Sequence, residues 1–273
     1  MGALRGANRY HHFTDMQIWG RGIDLERFNP SLRRSEAYRA QIGVGPQDIC
    51  LIWVGRLVPE KRPDIWRDVY LALLAEGFPV KGLVVGVGPC QAMFDECPGV
   101  HIAGWLSGIP LAVAYASSDL LLFPSDVETF GNVTLEALGS GIPAVVESLC
   151  SRHLVTNGIE GFTVRVSILT CQQCNHSSYM RRSKQFGRVQ MHVLIWDVLV
   201  PGVILRSLTV VLCQVEQGIS DPQDRQAYDA CVQRYLDCTR QLVADPALRK
   251  QYGQAALLKA ATFSNSAVQQ RMV

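Results

Sequence analysis

The chain has 273 residues, Lys+Arg 26 against Asp+Glu 24, 48% hydrophobic and 18% charged. A charged fraction below the roughly 25% of ordinary globular chains, with ordinary apolar content, excludes a mostly disordered protein, and the length suits one large or two small domains. A formal net charge of +2 gives no strong long-range pull toward phosphate backbones or anionic membranes, so the expected partner is a small molecule or another protein, not a nucleic acid.

In chain order, residues 1–30 read as a linker, and the first twelve, MGALRGANRYHH, hold no apolar run of a signal peptide. Residues 49–55, 80–88, 100–105, 119–124 and 142–147 are short apolar runs bounded by Gly, Pro or Asp. They are continuous rather than alternating, as expected of strands covered on both faces. Between them lie amphipathic segments at 63–77, 90–96, 110–118 and 132–139. This alternation predicts an α/β fold, a doubly wound parallel sheet of Rossmann-like type whose ligand crevice lies beyond the carboxyl ends of the strands.

Residues 166–214 break the alternation with Cys171-Gln-Gln-Cys174-Asn-His176, a basic run Arg181-Arg182-Ser183-Lys184 and a Val/Leu-rich tract. Asp197, Pro201 and Arg206 inside that tract argue against a membrane span, and the Cys/His cluster lacks a second ligand pair for zinc. Two helices are expected after it, Asp224 to Ala244 and one opening at Asp245-Pro246, completing a domain built from 31–165 and 215–273. The nine cysteines follow no framework, and several sit in apolar runs, which suits reduced thiols in a cytosolic chain.

Two loops carry chemistry. In Pro124-Ser125-Asp126-Val127-Glu128-Thr129-Phe130-Gly131-Asn132, a strand ends, Glu128 sits on the loop, and a helix begins near Asn132. The amides of Phe130, Gly131 and Asn132 then face the crevice at a helix N-terminus, which favours phosphate. Glu136, further along that helix, can accept hydrogen bonds from vicinal hydroxyls of a ribose. Taken singly, Glu128 reads as a first-turn dipole partner and Glu136 as a solvated helix residue. Arg56 and Lys61, after the first strand, face the same crevice and can neutralise a leaving diphosphate. Gly86-Val87-Gly88-Pro89 lacks the third glycine of a dinucleotide fingerprint.

The runs WGRGID, GRLVPEKRPDIW, VVGVGP, AYASSDLLLFPSDVETFGNVTLEALGSGIPAVVE and DPALRKQYG resemble the carboxyl-terminal half of family 4 retaining glycosyltransferases of the GT-B fold, in the mannosyl- and sulfoquinovosyltransferase-like branch that acts on lipids. The resemblance implies transfer of a mannose-like hexose from a nucleoside diphosphate sugar to a lipid or glycan acceptor, with retention and without a metal or other cofactor. Arg56 and Lys61 would hold the diphosphate, Glu128 a sugar hydroxyl and Glu136 the ribose, while the 130–132 amides cradle the sugar and phosphate end. An acceptor-binding half would precede this one and supply peripheral membrane contact on a cytosolic or organellar face. A non-catalytic nucleotide-sugar-binding module is the competing reading.

Three departures follow from the resemblance. An acceptor-binding half is missing ahead of WGRGID, so this chain is expected to be truncated and to transfer sugar poorly or not at all by itself. Cys150-Ser151-Arg152-His153 stands where relatives carry Gly-Gly-His, which predicts crowding of a backbone that wants glycine. Residues 166–214 intervene where a short loop is expected. Val166-Ser167 and Cys213-Gln214 can encode the two ends of an intron, so the segment reads as translated intron or a splice variant in preference to a genuine insertion, and it is expected to be mobile or poorly packed on the sheet.

Overall fold

Continuous apolar runs become buried parallel strands. In the computed structural model, which describes residues 22–32, 36–165, 193–200, 203–210 and 222–270, every residue of β1 (Ile49–Val54) is buried. β2 (Val80–Val85), β3 (Val100–Gly104), β4 (Leu120–Phe123), β5 (Ala144–Glu147) and β6 (Gly161–Val164) complete one sheet in the order β3-β2-β1-β4-β5-β6. All neighbouring pairs are parallel. This is the doubly wound order of nucleotide-binding sheets, and its direction reverses between β1 and β4.

The helices are α1 (Glu36–Gln41), α2 (Pro63–Ala75), α3 (Gly108–Ala116), α4 (Asn132–Gly139), α5 (Ser148–Ser151), α6 (Pro222–Ala244), α7 (Pro246–Ala261) and α8 (Asn265–Gln270). α2 packs on α6, and α4 packs on α7. Asp245 caps α7 as its sequence predicts, accepting from the amides of Ala247 at 2.8 Å and Leu248 at 3.0 Å. Trp66 on α2 is fully buried, stacked on Tyr70 at 5.1 Å and edge-on to Phe94 at 5.6 Å.

Three expectations shift. Residues 90–96 form only a 3-10 turn, Gln91–Phe94, and no α-helix. His101, which on sequence alone reads as a satisfied core residue rather than a base, lies half-buried on β3 at the sheet edge. α1 forms where no helix was expected, held by Arg39, which donates to Asp119 at 2.9 Å and to the carbonyls of Ser117 and Asp48.

Within the stretch read as linker, Ile23 and Phe28 are buried, and Ile23 N donates to Phe263 O at 2.8 Å. β7 (Val193–Val200) and β8 (Val203–Val210) pair antiparallel in a sheet of their own. The rest of 166–214, with its Cys/His cluster and basic run, lies outside the described residues. Among the described residues no helix is long and apolar enough to cross a membrane.

Candidate functional site

The reversal between β1 and β4 leaves a crevice at their carboxyl ends, and the loops leaving these two strands carry the residues singled out by sequence. The β1 loop runs through Arg56 and Lys61 to α2, and the β4 loop runs through Glu128 to α4. They meet directly. Lys61 Nζ donates to Glu128 Oε1 at 2.5 Å and to Val127 O at 2.6 Å, with the two side chains only 15% and 11% exposed. Ser125 Oγ adds a bond to Glu128 Oε1 at 3.1 Å. An ammonium has three donors, so one remains for an incoming anion.

Arg56 differs from Lys61. Its side chain is 75% exposed and its ion pair is a loose 3.7 Å contact with Glu60. It borders a cavity of about 230 Å³ beyond β1, β2 and β3, lined also by Gly55, Gly86, Val87, Trp105 and Leu106. The sequence reading did not find this cavity. Trp105, exposed at 72% just past the end of β3, was the available signal.

The glycines after β2 have a structural duty. Gly86 has φ 141°, and a Cβ there would lie 1.8 Å from the Gly55 carbonyl oxygen. Glycine therefore lets the backbones leaving β1 and β2 touch at the cavity wall.

At the start of α4, Gly131 is the N-cap with φ 91° and no side-chain cap bond. A Cβ at Gly131 would stand 3.0 Å from Leu154 Cδ1. Asn132 is exposed at the first helical position. Phe130 packs its ring edge-on to His153 at 5.4 Å and accepts from His153 Nε2 through its carbonyl at 2.8 Å. The predicted crowding near His153 does not arise: among the described residues Arg62 is the one non-glycine with positive φ. Residues 148–151 instead form α5, where the Glu147 side chain accepts from Cys150 N at 2.8 Å.

Glu136 is half-buried rather than solvated. Desolvation pushes its carboxyl up to about 7, while the neighbouring Tyr115 hydroxyl and the Arg27 charge pull the other way. Tyr115, fully buried on α3, is itself raised by burial and by the charges of Glu136 and Glu128. Among the described residues no three His, Cys, Asp or Glu side chains gather as metal ligands, and six cysteines are free thiols.

Sheet order and converging loops define a doubly wound, Rossmann-like α/β domain. Residues 48–169 match the family model of glycosyl transferases group 1. The chain is 36% identical over 137 residues to sulfoquinovosyl transferase SQD2 of Arabidopsis thaliana, covering 48% of this chain and 26% of that protein. It is 35% identical over 160 residues to a GDP-mannose-dependent alpha-mannosyltransferase of Corynebacterium glutamicum, covering 58% and 37%. The chain thus spans about a quarter to two fifths of the length of these curated relatives.

Among solved structures it resembles sucrose-phosphate synthase of Thermosynechococcus elongatus with TM-score 0.59 at 18% identity, over 94% of this chain and 50% of that one. It also resembles the C-terminal domain of a glycosyl transferase group 1 family protein from Francisella tularensis, with TM-score 0.57 at 13% identity, over 88% and 97%. Residues 48–169 are thus similar to glycosyl transferases group 1, and the chain shares the Rossmann-like fold of structural neighbours that are GT-B glycosyltransferases.

Proposed function

We propose that this domain is the carboxyl-terminal, donor-binding half of a family 4 retaining glycosyltransferase, which moves a mannose-like hexose from a nucleoside diphosphate sugar to a lipid or glycan. The observation that carries the reading is the Lys61–Glu128 pair at the β1/β4 switch point, next to an uncapped helix N-terminus. Similarity to the GDP-mannose-dependent mannosyltransferase supports mannose, and similarity to SQD2 leaves a sulfoquinovose-like sugar as the alternative.

The chemistry follows from placement. The nucleoside lies in the cavity beyond β1–β3, and Glu136 accepts from the ribose hydroxyls. The 130–132 amides and the remaining Lys61 donor meet the diphosphate and sugar, and Arg56 swings in from solvent. As the glycosidic bond breaks, negative charge grows on the leaving diphosphate, so cations fixed at that spot act most strongly in the transition state. This charge stabilisation needs no metal in the proposed mechanism. Glu128, tethered by Lys61 and Ser125, offers its carboxylate to a sugar hydroxyl. Acceptor and membrane contacts belong to the half that pairs with this one.

Incubating labelled GDP- and UDP-hexoses with the chain, alone and joined to a complementary acceptor half, tests the reading. The expected result is nucleotide-sugar binding by the chain alone and transfer with an axial product linkage only in the complete protein. An inverted product would refute retention. Binding without transfer in either form would favour the non-catalytic module.

A further inference from the structure

We propose that Arg62 is a positioning residue that clamps the Asp126–Glu128 loop to the start of α2 and so fixes where Glu128 meets the transferred sugar; this rests on the donor-site reading above.

Arg62 occupies the left-handed region, φ 52° and ψ 49°, at the N-cap of α2. L side chains rarely adopt that conformation, and it persists only where surrounding contacts over-determine it. Those contacts are present. Arg62 Nε and Nη2 donate to the Asp64 carboxylate at 3.1 and 3.0 Å, and Nη1 donates to Asp126 Oδ2 at 3.3 Å. The guanidinium carbon lies 5.8 Å from the Tyr228 ring centre, and Tyr228 donates to Asp68 Oδ2 at 2.6 Å. A planar fork serves two carboxylates at once, which an ammonium cannot do in the same geometry.

Pairing with Asp64 alone would make Arg62 a local helix-start contact. The bond to Asp126, 64 residues away, reaches the loop that bears Glu128. Consecutive residues grip consecutive residues: Glu60 O accepts from Asp126 N at 3.3 Å, Lys61 holds Val127 O and Glu128, and Arg62 holds the Asp126 side chain. Tyr228 extends the clamp to α6. Loop position and sugar contact are therefore set together by residues 60–62.

The test uses Arg62→Gly in the full chain, because glycine takes the left-handed conformation freely and the change isolates the side chain. Hydrogen exchange of the 126–128 amides should accelerate about tenfold or more, with β1 and β4 amides unchanged. The affinity advantage of a nucleoside diphosphate hexose over the bare nucleoside diphosphate should shrink by about tenfold, with bare diphosphate affinity held within about twofold. Arg62→Lys should restore part of that advantage. Unchanged exchange at 126–128, or equal loss of both ligands, would overturn the proposal. If Arg62→Gly exposes the strand amides, Asp126→Asn, which keeps the Arg62–Asp64 pair, carries the same comparison. Should the unaltered chain bind neither ligand, the donor-site reading falls and the sugar role with it, while the exchange comparison still decides whether the clamp exists.

Discussion

Glu136 titrates near neutrality because half-burial on α4 penalises its charged form. Its ordinary value is 4.5 and its folded value about 7, so between them the native state holds a proton that the unfolded chain releases. Stability from this group is complete below the ordinary value and is lost as pH rises through about 7, a component of roughly 3 kcal/mol. The melting temperature should therefore show a downward component between pH 5 and pH 8 that Glu136→Gln lacks, and matching pH slopes would refute the assignment. Hydroxyl donors of a ribose need the carboxylate form. Nucleotide affinity should thus weaken as pH falls below 7, by up to about tenfold per unit, and Glu136→Gln should flatten that dependence in a calorimetric pH series.

Lys61 and Arg56 separate by burial. Lys61→Ala strands Glu128 in a mostly buried site and should lower stability by about 1–3 kcal/mol, whereas Arg56→Ala removes an exposed side chain and should change it by less than about 0.5 kcal/mol. In the proposed complete enzyme each should lower turnover by about 100-fold, because the proposal has both stabilise the leaving group's charge. Thermal melts with steady-state kinetics distinguish these effects. The motif residues were legible because their chemistry is local in sequence: a basic pair after one strand, a glutamate pair after another. Arg62, Ser125 and Tyr115 were not, because their roles depend on partners from other elements, and a left-handed arginine before proline carries no spacing signal.

At the element scale, strands and long helices were readable from unbroken apolar runs and from caps such as Asp245-Pro246. The failures were short pieces. The 90–96 segment carries a helical apolar pattern but forms only a 3-10 turn, and α1 is held by Arg39 reaching to Asp119, a contact distant in sequence. Among the described residues, apolar β7 and β8 pair with each other in a sheet separate from the six-stranded one. Among the described residues these two eight-residue apolar strands form a two-stranded sheet whose edges invite association. Joining Arg165 to Val215 should therefore raise soluble yield and leave nucleotide binding unchanged. A joined chain that no longer folds would show the segment to be an integral insertion, against the intron reading.

For the whole molecule, one sheet reversal places both functional loops on the same edge, and two strand-end segments in contact through Gly55 and Gly86 wall the adjoining cavity. The sequence alternation implied that edge, but the cavity and the clamp across it exist only once β1, β2 and β4 are neighbours. The central claim is that this edge binds a nucleoside diphosphate. Amide NMR of the full chain titrated with GDP and UDP tests it most directly. The account predicts saturable shifts, at micromolar to millimolar dissociation constants, confined to residues 55–61, 86–88, 105–107 and 125–136. Saturable shifts centred elsewhere on the sheet, or no saturation with either nucleotide, would contradict it.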